Sequence, residues 1–116
     1  MKTQIKPIEG ELVRLRLLEE RDLETTRVWR NQDHVRQCFF DSRIISPEAQ
    51  AAWFAVYREK DDDYVFIIET RAERRPVGQC ALYNVDLKGR RAEFGRLMIG
   101  NATDTESLYS TKGPDG

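Results

Sequence analysis

The chain has 116 residues, of which 40% are hydrophobic and 34% charged, and 20 acidic residues nearly balance 19 basic ones. This length fits one small domain, and the near-zero net charge gives no reason to expect nucleic acid or an anionic membrane as a partner. The longest apolar run, residues 51–57, is too short to cross a bilayer, and the N-terminus has no apolar signal-peptide core. We therefore expect a cytoplasmic protein whose cysteines, Cys38 and Cys80, are reduced thiols.

Residues 11–18 predict the first strand. Val13, Leu15 and Leu17 point to one side and arginines occupy the positions between them, which is typical of a half-buried strand. The acidic segment EERD that follows suits a helix N-terminus, and a weak apolar face predicts a helix over about 22–30.

The next segment, residues 34–45, has no clean period and predicts a short helical turn followed by a loop. Ser46 and Pro47 then mark a helix start, as an N-cap and a first helical residue. The apolar residues of this helix recur with helical spacing, so we expect one buried face. Its members are Ala49, Ala52, Trp53, Val56 and Tyr57.

Three strands are predicted in the second half of the chain. Residues 64–70 are β-branched and aromatic, 76–85 begin with a proline, and 91–100 read as a largely buried strand. The loop 86–90 contains a glycine and predicts a hairpin. The order is therefore β-α-α-β-β-β, with the last three strands antiparallel.

The C-terminal segment 101–116 differs in composition from the rest. Only Ala102, Leu108 and Tyr109 are apolar, and the segment ends in KGPDG. We expect a folded half-domain over residues 1–100 and a polar tail over 101–116.

Several strings, in this order and spacing, resemble the GNAT acetyltransferases, in the branch of ribosomal-protein, spermidine and amino-sugar N-acetyltransferases. They are LVRLRLLEERDL at 12–23, WRNQDHVRQCFFDS at 29–42, SPEAQAAWF at 46–54, PVGQCALYNVD at 76–86 and RAEFGRLMIG at 91–100. The resemblance implies an α/β (α+β) fold with a mostly antiparallel sheet. It also implies direct transfer of an acetyl group from acetyl-CoA to a primary amine on a small molecule or peptide.

The sequence after Gly100 departs from that family. In the family a glycine-rich loop opens a helix there, and its N–H groups hold the pyrophosphate of acetyl-CoA. No such loop follows Gly100 here. The resemblance therefore covers the N-terminal portion, and we expect the C-terminal half of the fold to be missing.

Glu93 is the candidate catalytic residue, because the resemblance implies a glutamate on this strand that takes the proton of the amine. That role requires burial to raise its pKa toward neutrality. The alternative is an acid exposed on the edge strand, or one paired with Arg90, Arg91 or Arg96.

Gly95, in the middle of a strand, predicts a bulge or a close backbone approach. In the resembling family the bulge opens a slot where acetyl-CoA pairs with the main chain. The resemblance thus implies that Leu97, Met98, Ile99 and Gly100 bind this co-substrate.

Five residues are candidates for binding the acceptor. By resemblance, Asn31, Phe40 and Asp41 wall the acceptor pocket; Asp41 and Glu69 would attract an amine, and Tyr83 would line the same cleft. The alternative for the loop residues is that they are merely solvated. No metal site is expected.

Two other functions remain open. One is a catalytically inactive GNAT-like fragment that forms a homodimer through the strand 91–100, because an unpaired strand edge favours association. The other is a small-ligand binding module that uses only the pocket around 31–41.

Overall fold

A computed structural model of the chain describes residues 2–38 and 43–100. This part contains five strands, three α-helices and one short 3-10 turn. The strands are β1 (Ile8–Glu9), β2 (Val13–Leu17), β3 (Asp63–Thr70), β4 (Pro76–Asp86) and β5 (Arg91–Ile99). The 3-10 turn is Glu20–Asp22, and the helices are α1 (Leu23–Asn31), α2 (Asp33–Arg36) and α3 (Pro47–Tyr57).

The five strands form one antiparallel sheet in the order β1-β2-β3-β4-β5. The predicted α/β class, the order after the first strand and the antiparallel pairing of the last three strands are confirmed. Strand β1 was not predicted, because two residues leave no periodic signal. The boundary predicted at Gly100 stays a prediction, since the tail 101–116 lies outside the described residues.

The helices pack against one face of the sheet. Phe54 and Tyr57 of α3 form a core with Val65, Ile67 and Ala81, which project from alternate positions of β3 and from β4. A second cluster joins α1, α2 and β5 and consists of Trp29, Val35 and Met98. The opposite face of the sheet carries the cluster of Tyr64, Phe66 and Cys80.

Helix α3 begins where the sequence predicts, but it buries a different face. The Ser46 side chain accepts a hydrogen bond from the Ala49 amide at 3.1 Å. Phe54 and Tyr57 are buried, whereas Trp53 and Val56 are 39% and 61% exposed. The predicted face was wrong because the helix is apolar nearly all round, so its spacing does not single out one side.

Strand β2 turns its arginines, and not only its leucines, toward the interior. Arg16 donates from Nη1 and Nη2 to Asp22 at 2.7 and 2.8 Å and from Nε to Glu69 at 2.9 Å. Arg14 Nε lies 3.0 Å from the other Glu69 oxygen as an ion pair. Desolvation would raise the pKa of Asp22, but the hydrogen bonds from Arg16 and from the Glu19 amide outweigh it and hold that pKa below its ordinary value.

Strand β5 is mostly exposed, which corrects the expectation of a largely buried strand. Phe94, Leu97 and Ile99 are 66%, 58% and 44% exposed, while Met98 is 3% exposed. In the described part of the chain β5 is the last strand of the sheet, and the helices cover only one end of it.

Candidate functional site

The candidate site begins at a bulge in β5. Ala81 pairs with Gly95 and Gln79 pairs with Met98, so two residues of β5, Arg96 and Leu97, lie opposite one residue of β4. Arg96 adopts the left-handed conformation with φ 54°. The bulge that Gly95 predicts is therefore present, although its neighbour takes the unusual backbone conformation.

A clamp formed by Asp63, Tyr83 and Arg96 ties the bulge to the sheet. Arg96 Nη1 donates to the two oxygens of Asp63 at 3.0 and 3.1 Å, and its guanidinium carbon lies 4.1 Å from the centre of the Tyr83 ring. Gly95 makes room for that ring, because a Cβ there would lie 2.7 Å from the Tyr83 hydroxyl oxygen. One side chain of β5 thus reaches across β4 to β3.

Beyond the bulge, β5 presents main-chain groups at an open edge. The Gly100 amide donates to the Val77 carbonyl at 2.7 Å, and Met98 pairs with Gln79. Main-chain groups alternate in direction along an antiparallel strand, so the N–H and C=O of Ile99 and the C=O of Leu97 point away from β4. No further strand pairs with them in the part of the chain that the structure describes.

A cavity of about 270 Å³ lies between the helices and the strands β4 and β5. We call it the helix-side cavity. Apolar side chains form much of its wall, namely Leu18, Ile45, Ala49, Trp53 and Met98. Its polar lining residues are Thr26, Arg30, Gln50, Gln79 and Arg96. The bulge residue Arg96 and Met98, two residues further along the strand, therefore belong both to β5 and to the cavity.

Glu93 does not line this cavity, and it lies instead in a separate depression of about 240 Å³ with Asn84, Arg91 and Ala92. The residue is exposed, and its carboxylate accepts a hydrogen bond from the Asn84 side chain. It pairs with Tyr83 across the ladder, so both project to the same face of the sheet. The burial expected of a catalytic Glu93 is not found, and its exposure agrees with the alternative of an exposed acid.

The predicted acceptor residues do not form one group. Asn31 holds the loop before α3, because its amide donates to the Ile45 carbonyl at 2.9 Å and accepts from the Ile45 amide at 2.7 Å. Glu69 pairs with the residue Pro76, at the far end of the β3–β4 ladder from Tyr83. Its two oxygens are engaged by the arginines of β2. The role of Glu69 in attracting an amine stays a prediction, which this pairing does not support. Phe40 and Asp41 lie outside the described residues.

Sequence reasoning missed most of the residues that line the helix-side cavity. The helical spacing predicts a core position for Trp53, and the sequence suggests Arg96 only as a partner for Glu93. Gln79 shares a face with Ala81 by alternation along β4, which is the one signal in the sequence that points to the cavity.

A larger depression of about 660 Å³ lies at the other edge of the sheet. Its charged lining includes Arg14 and Arg16, which are already held by the buried acids. In residues 2–38 and 43–100, no group of His, Cys, Asp and Glu has the arrangement of a metal site. Within the same ranges, no helix is long and apolar enough to span a membrane.

A comparison with known protein families identifies the family of this chain. A family described as the acetyltransferase (GNAT) domain matches residues 13–109. The chain belongs to the GNAT acetyltransferase family. A search of curated proteins found no match.

Solved structures of other proteins share the fold of this GNAT chain. FdhC, described as a nucleotide-linked sugar GNAT, has a TM-score of 0.66 and 23% identity over 97% of this chain and 66% of its own. Spermidine N-acetyltransferase from Vibrio cholerae, solved with CoA and spermine, has a TM-score of 0.69 and 19% identity over 80% of this chain and 54% of its own. A GCN5-related N-acetyltransferase from Brucella melitensis has a TM-score of 0.64 and 21% identity over 95% of this chain and 55% of its own.

The GNAT chain thus spans between 54% and 66% of the length of these three structures. At such identities the likeness concerns the fold. Membership of the family supports acetyl transfer as the general chemistry, and the acyl donor, the acceptor and the residues that act on them are matters for proposal.

Proposed function

We propose that this chain takes part in acetyl transfer from acetyl-CoA to a primary amine by direct transfer, with β5 as the donor edge and the helix-side cavity as the acceptor site. The observation that carries the proposal is the bulge at Arg96. It places an open main-chain edge at Leu97 and Ile99 directly beside a cavity large enough for a small molecule.

The open edge suits the donor because the pantetheine arm of acetyl-CoA contains amide groups. Outward N–H and C=O groups at Leu97 and Ile99 would pair with them as a further strand would. Met98 would not pair with acetyl-CoA through its main chain, because that main chain is paired with β4. Its side chain packs against Trp29 and Val35 and so anchors the strand. The buried Gly100 lies against the Trp29 ring, where a Cβ would come within 2.3 Å of an indole carbon.

The chemistry needs one proton acceptor. The neutral amine nitrogen forms a bond to the thioester carbon, the carbon–sulfur bond breaks and CoA leaves as its thiolate. The nitrogen gives up a proton to the acceptor, and the thiolate takes up a proton from solvent. Glu93 projects to the same face as Tyr83, whose ring contacts the cavity residue Arg96. From this face of the sheet the Glu93 carboxylate would accept the proton through intervening water.

The donor part of the proposal is tested by calorimetric titration of the purified chain with acetyl-CoA. We expect saturable binding. No binding at millimolar acetyl-CoA would contradict the enzyme proposal for this chain.

The role of Glu93 is tested separately with Glu93→Gln, using transfer of radiolabelled acetyl groups to an amine as the readout. As general base, Glu93 contributes a factor of about 10²–10⁴ to the rate, so we expect the variant to lose activity while its acetyl-CoA affinity stays unchanged. An unchanged rate would show that Glu93 is a surface residue bound to Asn84 and takes no part in catalysis.

A second candidate function has its own supporting observation. The exposed side chains of Phe94 and Leu97 adjoin the open edge of β5, and an apolar edge strand favours pairing with another chain. The alternative is therefore an inactive GNAT-like chain that forms a homodimer through β5. Sedimentation of the wild type and of Phe94→Lys distinguishes the two, because a dimer through β5 would dissociate in the variant, whereas a monomeric wild type would rule this dimer out.

A further inference from the structure

Trp53 of α3 gives the helix-side cavity an aromatic wall. Its ring stacks on the Tyr57 ring, with 4.9 Å between the ring centres and 15° between the planes, so Tyr57 fixes the plane of the indole. On the other side of Trp53 along the helix, the neighbour one turn earlier is Ala49. Ala49 carries only a methyl group, and both Ala49 and Trp53 are exposed and line the cavity. The second face of the indole is therefore open to the cavity.

The neutral polar groups of the wall are largely satisfied within the protein. The Gln50 side chain donates to the Thr26 hydroxyl at 3.1 Å, and that hydroxyl donates to the Leu23 carbonyl at 3.0 Å. Ile45 and Met98 add apolar surface. Most of the favourable contact that a ligand could make here is thus apolar or aromatic.

The two arginines in the wall are also engaged. Arg96 Nη1 pairs with both oxygens of Asp63, whose side chain is 10% exposed, and Arg30 has an interaction of its own. Among the lining residues that the structure describes, none is an aspartate or glutamate. An ammonium group that entered this cavity would lose water and would find no carboxylate on the wall, which is unfavourable. A ligand with several ammonium groups would meet that cost at each of them.

The cavity also limits the size of the ligand. Its volume of about 270 Å³ lies just below the range of about 300–1,000 Å³ that is usual for ligand pockets, so it suits one ring with a short side chain. A ring against Trp53 on the α3 wall would leave its amino group to extend toward Met98 on the β5 wall, where the proposed donor edge lies.

We propose that the acceptor of this chain is a small primary amine with a flat aromatic ring, which stacks on Trp53 in the helix-side cavity, and with no second charged group. Stacking between aromatic rings adds to the free energy of apolar burial, so a flat ring should bind more tightly than a puckered ring of the same size. This inference rests on the proposed function, because it names the substrate class of the same site.

The test is an NMR titration of the full chain without acetyl-CoA. The indole N–H signals of the two tryptophans, Trp29 and Trp53, report the ligand, and Trp53→Phe assigns them. The probes are 2-phenylethylamine, 2-cyclohexylethylamine and spermidine. The first two carry the same aminoethyl group on a flat and on a puckered six-carbon ring, whereas spermidine has several amino groups and no ring.

We expect 2-phenylethylamine to bind about three- to tenfold more tightly than 2-cyclohexylethylamine, with spermidine the weakest. The ring current of the phenyl group should shift the Trp53 signal more than that of the buried Trp29. The cyclohexyl ring is at least as apolar as the phenyl ring, so burial of apolar surface alone would not produce this preference. Equal affinities for the two ring amines, tightest binding by spermidine, or no binding of any probe would overturn the proposal.

Variants assign the preference to the open face of the indole. Trp53→Leu keeps an apolar contact but removes the flat surface, so the preference for the phenyl ring should disappear. Ala49→Leu covers the open face and leaves Trp53 in place, and it should weaken the binding of 2-phenylethylamine. Val56→Ala is the matched control, because Val56 lies on the same helix, is 61% exposed and is not among the lining residues. An equal loss of preference in Val56→Ala would contradict the role given to Trp53.

The outcomes also separate this inference from the proposed function. Binding of 2-phenylethylamine on Trp53 without any acetyl-CoA binding would contradict the enzyme proposal and leave a cavity for aromatic amines. Acetyl transfer to spermidine in preference to 2-phenylethylamine would support the enzyme and overturn the inference about its acceptor.

Discussion

Strands β2 and β5, near opposite edges of the sheet, place an arginine in very different surroundings. On β2, Arg16 is enclosed with Asp22 and Glu69, and their side chains are only 10%, 7% and 5% exposed. On β5, Arg96 is 39% exposed, pairs with one acid and lines a cavity. The first arrangement is enclosed within the protein, whereas the second lies at a surface that a ligand can reach.

This difference suggests two roles: the buried network around Arg16 stabilises the fold, and the bulged edge of β5 binds ligand. Removing one member of a buried ionic network leaves its partners charged and desolvated. The bulged edge has fewer internal partners, so changes there should affect ligand binding more than folding. The predictions below test that separation.

Arg16→Ala should have the largest effect on stability. It leaves Asp22 and Glu69 without their main partner, and breaking a buried pair costs about 3–5 kcal/mol. Denaturant unfolding measures the loss. Arg21→Ala is the matched control, because its pair with Glu19 is exposed and should be worth about 0–1 kcal/mol. Similar losses in the two variants would contradict the role given to the buried network.

Acid should weaken the same network. The pKa of Asp22 is lowered in the folded protein, so its contribution is fully present above the ordinary aspartate range and is lost as the pH falls through the lowered value. Wild type should therefore lose stability on acidification, and its advantage over Asp22→Asn should shrink. A difference between the two that stays constant from pH 6 to pH 2 would contradict this account.

Arg96→Ala should have a smaller effect on stability and a larger one on binding. The clamp is partly exposed, so we expect a loss of about 1–2 kcal/mol in unfolding free energy. We also expect weaker acetyl-CoA binding, because the bulge that sets the direction of Leu97 and Ile99 loses its tie to Asp63. A variant with reduced stability and unchanged acetyl-CoA affinity would show that the clamp serves only the fold.

The parts of the fold that were predictable from sequence are those with local signals. The start of α3 follows from Ser46 and Pro47, and β3 follows from its β-branched and aromatic run. The burial of Arg16 on β2 was less evident from the sequence. Its guanidinium group pairs with a glutamate 53 residues away, and no local pattern predicts that pair. The exposure of β5 depends on its place at the end of the sheet, which is a property of the topology.

The candidate site was predictable only in part. Gly95 indicated the bulge, and the family resemblance pointed to the main chain of Leu97 and Ile99. The helix-side cavity is built from residues on two helices, two loops and two strands, and their meeting depends on tertiary packing. For that reason Arg30 and Trp53 carried no functional signal in the sequence.

The central claim is that the outward main chain of β5 binds acetyl-CoA, and the most direct measurement compares wild type, Ile99→Pro and Ile99→Val by calorimetric titration. Proline removes the outward N–H of Ile99 without removing a ladder hydrogen bond, whereas valine keeps it. The account predicts that Ile99→Pro remains folded and binds acetyl-CoA up to about tenfold more weakly, as expected for one lost hydrogen bond, while Ile99→Val binds like wild type. Equal affinity in all three proteins would contradict the claim.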